Sequence, residues 1–189
     1  DEALLSAFDA ATKGDRERLS TLVRQNDKLW RNHPLAMYPE FWLLRLRLRS
    51  LEAPARIDAD VAAFIERNSH TFVADRLRLE WAQTLGARAA GAGDWSAFER
   101  ERAAVVWADD AQLRCWALLS RYQGTDAAGK DALVREVRTA LAANRESGSD
   151  GCMRLTEVLI DDGRISAWER VRALVEYNQL TTSRRLAAR

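Results

Sequence analysis

Two histidines and two cysteines are all that this chain of 189 residues offers of the side chains that most often hold metals or act near neutral pH. Metal sites recruit His and Cys at close spacing, and His33 and His70 each stand alone, so no metal and no cofactor is expected. A formal net charge of +1 argues against nucleic acid as a partner, because such binding needs a concentrated basic face. No stretch approaches the ~18 consecutive apolar residues of a spanning helix, so no transmembrane segment is expected. No basic stretch followed by an apolar one opens the chain at Asp1; any secretory leader is expected to have been removed or never present. Proline is limited to three positions and glycine to nine, so both punctuate the chain rather than loosen it. Val, Ile and Thr never cluster as they do in sheets.

What is abundant is Ala, Leu, Arg and Glu, all good helix formers, and 47% of the residues are hydrophobic, ample for a core. The chain therefore reads as all-α. Leu4, Leu5 and Phe8 mark a helix from Glu2 to Lys13, ended by Gly14 and followed by an N-cap at Asp15. Leu19, Leu22 and Val23 mark a second helix to about Gln25. Asn26 to Pro39 is a connector, with room for a helical turn near Trp30. Pro39 opens a third helix to about Leu51. Asp58 is expected to cap a helix through Arg67, and Thr71 one from Phe72 to Leu85. The Ala/Gly run from Gly86 to Gly93 reads as a flexible linker. Further helices start at Asp94, at Asp109 or Asp110, and at Thr125 or Asp126. Asn144 to Gly151 is a polar loop. Met153 to Ile160, Ser166 to Tyr177 and Gln179 to Ala188 complete ten or eleven helices.

One stretch is ambiguous. Leu44-Arg45-Leu46-Arg47-Leu48-Arg49 alternates as a strand does, while Phe41, Leu44, Leu48 and Leu51 form a helical stripe. No partner strand exists for it, and an isolated strand is unstable, so helix is expected. Short loops make sequential helices antiparallel neighbours. The expected architecture is a superhelical array of short antiparallel helix pairs over residues 1–189, an α-solenoid similar to tetratricopeptide arrays but irregular in period. The alternative is an irregular globular bundle.

No catalytic constellation emerges. The acidic pairs Glu99 and Glu101, Asp109 and Asp110, and Asp161 and Asp162 sit where carboxylates cap helices or face water, not where a raised pKa would serve acid catalysis. Glu146-Ser147 lies in a polar loop. The arginines at Arg45, Arg47 and Arg49, Arg76 and Arg78, and Arg184 and Arg185 read as solvated faces, although guanidinium groups also fork onto carboxylates; Arg45 and Arg49 are the candidate ligand contacts. The tryptophans fall on apolar stripes, and Trp30, near the connector, is the one expected to be exposed and free to contact a ligand. Cys115 and Cys152 fall on different helices, either as two buried thiols or, in an oxidising compartment, as a bridge that would stabilise by about 4 kcal/mol on the chain-entropy account.

Several segments resemble the amino-terminal helical region of soluble lytic murein transglycosylases. Pro34-Leu35, Tyr38-Pro39 and Phe41 are similar to that family's Pro-Leu, Tyr-Pro lead into a helix. Phe64-Ile65-Glu66-Arg67-Asn68 resembles its Phe-Val-Arg-Ala-Asn segment, and Leu85, Arg88 and Gly93-Asp94-Trp95 resemble an Arg-rich helix end before Asp-Trp. Ala111-Gln112, Cys115 and Cys152 fall where the family can carry Ala-Gln-Cys and a second Cys, although Leu113 and Arg114 intervene here and the run from Gly86 to Gly93 is longer. The resemblance implies a periplasmic superhelix with a Cys115–Cys152 disulfide. It implies that the chain is a piece of a longer protein, cut within the array after Arg189. The family's carboxy-terminal lysozyme-like domain cleaves the bond between N-acetylmuramic acid and N-acetylglucosamine, leaving a 1,6-anhydro end. Glu146-Ser147 matches that domain's Glu-Ser pair, but Gly148-Ser149-Asp150-Gly151 follows it and no Gly-Leu-Met-Gln element does, so no catalytic residue is carried over. The implied role is non-catalytic: positioning peptidoglycan strands for cleavage elsewhere, with dimerisation through the open array end as a further expectation. The rival is a helical-repeat adaptor that binds protein or peptide and has no link to the cell wall.

Overall fold

The structure is a computed structural model that describes residues 1–25, 30, 33–50, 53–106, 110–143 and 148–188. Among the described residues there are eleven α-helices and no strand. They are α1 (Glu2–Lys13), α2 (Arg16–Arg24), α3 (Tyr38–Leu48), α4 (Pro54–Arg67), α5 (Phe72–Ala92) and α6 (Ser96–Ala103). They continue with α7 (Ala111–Gly124), α8 (Ala127–Ala143), α9 (Asp150–Asp161), α10 (Ala167–Glu176) and α11 (Leu180–Ala187). No helix among the described residues is long and apolar enough to cross a membrane. The chain divides into two compact units, Asp1–Trp81 and Ala82–Arg189, and the division falls inside α5.

In the first unit α1, α2 and α3 pack on one another. Ala7 and Ala10 of α1, Leu19 of α2 and Trp30 are buried together. The two alanines carry little bulk, so the neighbouring helices approach α1 closely and the large indole fills the remaining space. Gly14 makes the sharp turn between α1 and α2 with φ 71°, a left-handed conformation that favours glycine, and returns its N–H to the carbonyls of Ala10 and Ala11. Asp15 then caps α2, its carboxylate accepting from the Arg18 N–H at 3.0 Å. Helix α3 carries Pro39 in its first turn and buries Phe41, Leu44 and Leu48. The alternating leucines and arginines are thus helical, and the i, i+3, i+7 stripe decides the matter. Helix α4 packs on α3 and buries Ile57, Val61, Phe64 and Ile65.

In the second unit α7 packs against α9, with α8 beside α7 and α10 against α11. Leu119, Tyr122, Val137, Leu155, Leu159 and Leu174 are all buried. A disulfide joins Cys115 of α7 to Cys152 of α9, with Cα atoms 4.8 Å apart. Beside it lies Trp116, flanked by two glycines. A Cβ built on Gly86 would meet the Trp116 ring at 2.6 Å, and one on Gly151 would meet the Gln112 carbonyl at 2.8 Å and the same ring at 3.0 Å. Both positions need glycine because backbone and indole touch there.

Two local expectations are corrected. Helix α4 begins at Pro54, a residue suited to a first turn, so Asp58 lies inside it; its carboxylate instead accepts the Trp81 indole N–H at 2.8 Å. The run from Gly86 is not a linker but the last part of α5, which continues to Ala92. The alanines of this run favour helix, and Gly86 is there for contact with Trp116 rather than for flexibility. Other caps fall as expected: Thr71 accepts from the Ala74 N–H at 3.2 Å, Asp110 from Leu113 at 2.8 Å and Asp126 from Gly129 at 2.9 Å.

Candidate functional site

A charged assembly in the first unit is built from the end of α3 and the first half of α5. Arg49, the residue that follows α3, lies four positions after Arg45, and positions 76 and 80 share a face of α5 by the i, i+4 rule. Glu80 is nearly buried, its side chain 10% exposed. A carboxylate so placed would be strongly disfavoured unless paired. Arg45 supplies the pairing as a fork, Nε to Oε2 at 2.8 Å and Nη2 to Oε1 at 2.7 Å. Its guanidinium also lies over the Phe41 ring, 5.3 Å from the centroid. Arg76 donates from Nε to Oε1 at 3.2 Å. Arg49 stands further off, its Nη2 3.7 Å from Oε2, with 67% of its side chain exposed. Arg47, on the other side of α3, pairs with Asp60 at 2.8 Å.

Arg45 and Arg49 therefore do meet at one place, and Arg76 and Glu80 join them. Trp30 does not: it is 2% exposed and belongs to the core, which corrects the expectation that it contacts a ligand. A loop position says little about exposure when a helix bundle still needs a large side chain to fill it. Among the described residues the exposed tryptophan is Trp168 of α10, at 71%. It borders a groove of about 410 Å³ lined also by Ile160, Asp161, Val171 and Leu186.

The acidic pairs are engaged structurally. Glu99 pairs with Arg102 at 2.7 Å and Glu101 with Arg100 at 3.0 Å. Asp162 accepts the Tyr122 hydroxyl at 2.7 Å. That hydrogen bond, followed by the charges of Lys130 and Arg164, holds the Asp162 carboxyl below its ordinary range, while burial and then the same bond push the Tyr122 phenol up. A catalytic acid would need the opposite shift on the carboxylate. Asp109 and the Glu146-Ser147 pair lie outside the described residues. His33 Nε2 meets the Asp1 carboxylate at 3.1 Å. Among the described residues no group of three or more His, Cys, Asp or Glu side chains is placed to hold a metal ion.

Comparison with models of protein families, with curated proteins and with solved structures finds no match to this chain. What fold and site define directly is an all-α protein with one interhelical disulfide and a cluster of arginines around a nearly buried glutamate.

Proposed function

We propose that the chain is the non-catalytic amino-terminal helical region of a periplasmic soluble lytic murein transglycosylase, and that it positions peptidoglycan strands for cleavage of the N-acetylmuramic acid to N-acetylglucosamine bond by a separate lysozyme-like domain. The observation that carries the reading is the Cys115–Cys152 disulfide, which agrees with an oxidising compartment and joins the two cysteines that the family resemblance pairs. The packing also supports the finer architecture, a superhelix of helix pairs. Within their units α1 reaches past α2 to α3, and α7 reaches past α8 to α9, as helices do when successive pairs stack.

The role is positional. Rigid helices hold a wall of side chains, and the wall restricts which strands reach the catalytic domain. The test is co-sedimentation of the purified chain with peptidoglycan sacculi, alongside an assay for released 1,6-anhydro products. Binding without product release is the expected result. No binding at any salt concentration sinks the positional role. The adaptor reading draws on one observation, the groove beside Trp168, and gains if the chain ignores sacculi but captures an amphipathic peptide.

A further inference from the structure

Three guanidinium groups converge on one carboxylate in the cluster around Glu80. Arg45, Arg49 and Arg76 all lie within 4 Å of its oxygens, at 2.7, 3.7 and 3.2 Å. Even if Asp75, next to Arg76 in sequence, is counted, cations outnumber anions there among the described residues. A carboxylate offers about four acceptor sites on two oxygens, and each guanidinium brings five donors. The Arg45 fork and the Arg76 Nε use most of what Glu80 can accept. Arg49, at 3.7 Å, is beyond hydrogen-bond length. Its side chain is 67% exposed and that of Arg76 46% exposed, so both present donors to solvent. Like charges held this close repel one another, and an anion arriving from solvent would relieve that repulsion while taking up the outward donors.

We propose that Arg49 and Arg76 form a binding site for a carboxylate-bearing ligand, with the Arg45–Glu80 fork as the fixed floor that holds them. Glu80 already shows that a carboxylate suits the fork geometry, and the excess positive charge supplies the attraction for a second one. The ligand is a short acidic peptide; that identity, unlike the site itself, rests on the peptidoglycan reading, since peptidoglycan stems carry free carboxylates.

The test is a titration of the full 189-residue chain with glutarate, and separately with inorganic phosphate, at low ionic strength. The readout is the NMR signals of the arginine Nε–Hε groups. Saturable shifts at Arg49 and Arg76, with glutarate bound more tightly than phosphate, are expected. Arg49→Gln combined with Arg76→Gln should weaken glutarate binding by about tenfold or more, the scale of losing charge-assisted hydrogen bonds. Arg47→Gln, which alters the arginine paired to Asp60, should leave affinity unchanged. Arg49→Gln alone, at a well exposed position, keeps the test valid if the double variant folds poorly.

Shifts that are absent, or equal at Arg47 and Arg49, overturn the site. Phosphate binding as tightly as glutarate overturns the carboxylate assignment. Failure of the wider reading shows separately. If glutarate titrates the pair but the chain ignores sacculi, the site stands and the peptidoglycan identity falls. If the double variant holds sacculi as well as the unaltered chain, the site has no part in that binding.

Discussion

Gly86 and Trp116 touch so closely that no side chain fits between them: a Cβ on Gly86 would sit 2.6 Å from the indole. In an exposed helix interior, Gly→Ala stabilises by about 1 kcal/mol. Here Gly86→Ala should do the reverse and destabilise by about 1–3 kcal/mol, the usual result of overpacking. Urea denaturation checks it. The same substitution at Gly91, where a Cβ would meet nothing within 4 Å, should be neutral or stabilising.

The bond between Cys115 and Cys152 closes a loop with a sequence separation of 37. Opening it should lower stability by up to about 4 kcal/mol, an upper figure from chain entropy. The denaturation midpoint should fall when reductant is added, and the reduced chain should match the variant carrying Cys115→Ser with Cys152→Ser. An unchanged midpoint would show that the crosslink constrains little.

Trp30 is a core residue at 2% exposure, packed with Ala7, Ala10 and Leu19. Trp30→Ala should cost about 3–5 kcal/mol. Intrinsic fluorescence of a variant that keeps only this tryptophan should be blue-shifted and shielded from an aqueous quencher; ready quenching would contradict the burial.

Asp162 has its pKa lowered in the folded protein, first by the Tyr122 hydroxyl. A depressed carboxyl contributes stability that is present above its unfolded value, about 3.9, and that is lost as pH falls through the lower folded value. Stability should therefore decline below about pH 4, and part of that decline should vanish in Tyr122→Phe. The variant should lose about 1 kcal/mol near neutral pH, less than the ~1.5–3 kcal/mol of a hydrogen bond to a charged group, because the Asp162 side chain is 42% exposed. An NMR titration should place the Asp162 carboxyl higher in the variant than in the unaltered chain.

Much of the fold was legible in sequence because helices announce themselves locally. Thr71, Asp110 and Asp126 are short polar side chains just before apolar periodicity, and all three cap. Leu44 to Arg49 was legible only by elimination, since a period of two and a stripe of i, i+3, i+7 coexist there. The failures are tertiary. Gly86 breaks a helix by propensity, yet its place is fixed by an indole on another helix. Asp58 looks like a cap until Trp81 presents its N–H to it, and Pro54 is the better start signal.

The candidate site shows the same limit. Arg49 lies four positions after Arg45, so their proximity was readable. Their convergence on Glu80, 35 positions after Arg45, depends on how the end of α3 and the first half of α5 come together, which no local pattern encodes. Arg76 could have been found by the same i, i+4 logic that links it to Glu80.

The measurement that tests the central claim most directly is the sequence of the source gene past the codon for Arg189. The account predicts more helix pairs followed by a lysozyme-like domain carrying Glu-Ser and Gly-Leu-Met-Gln elements. A stop codon, or helix pairs alone, would contradict it and leave the adaptor.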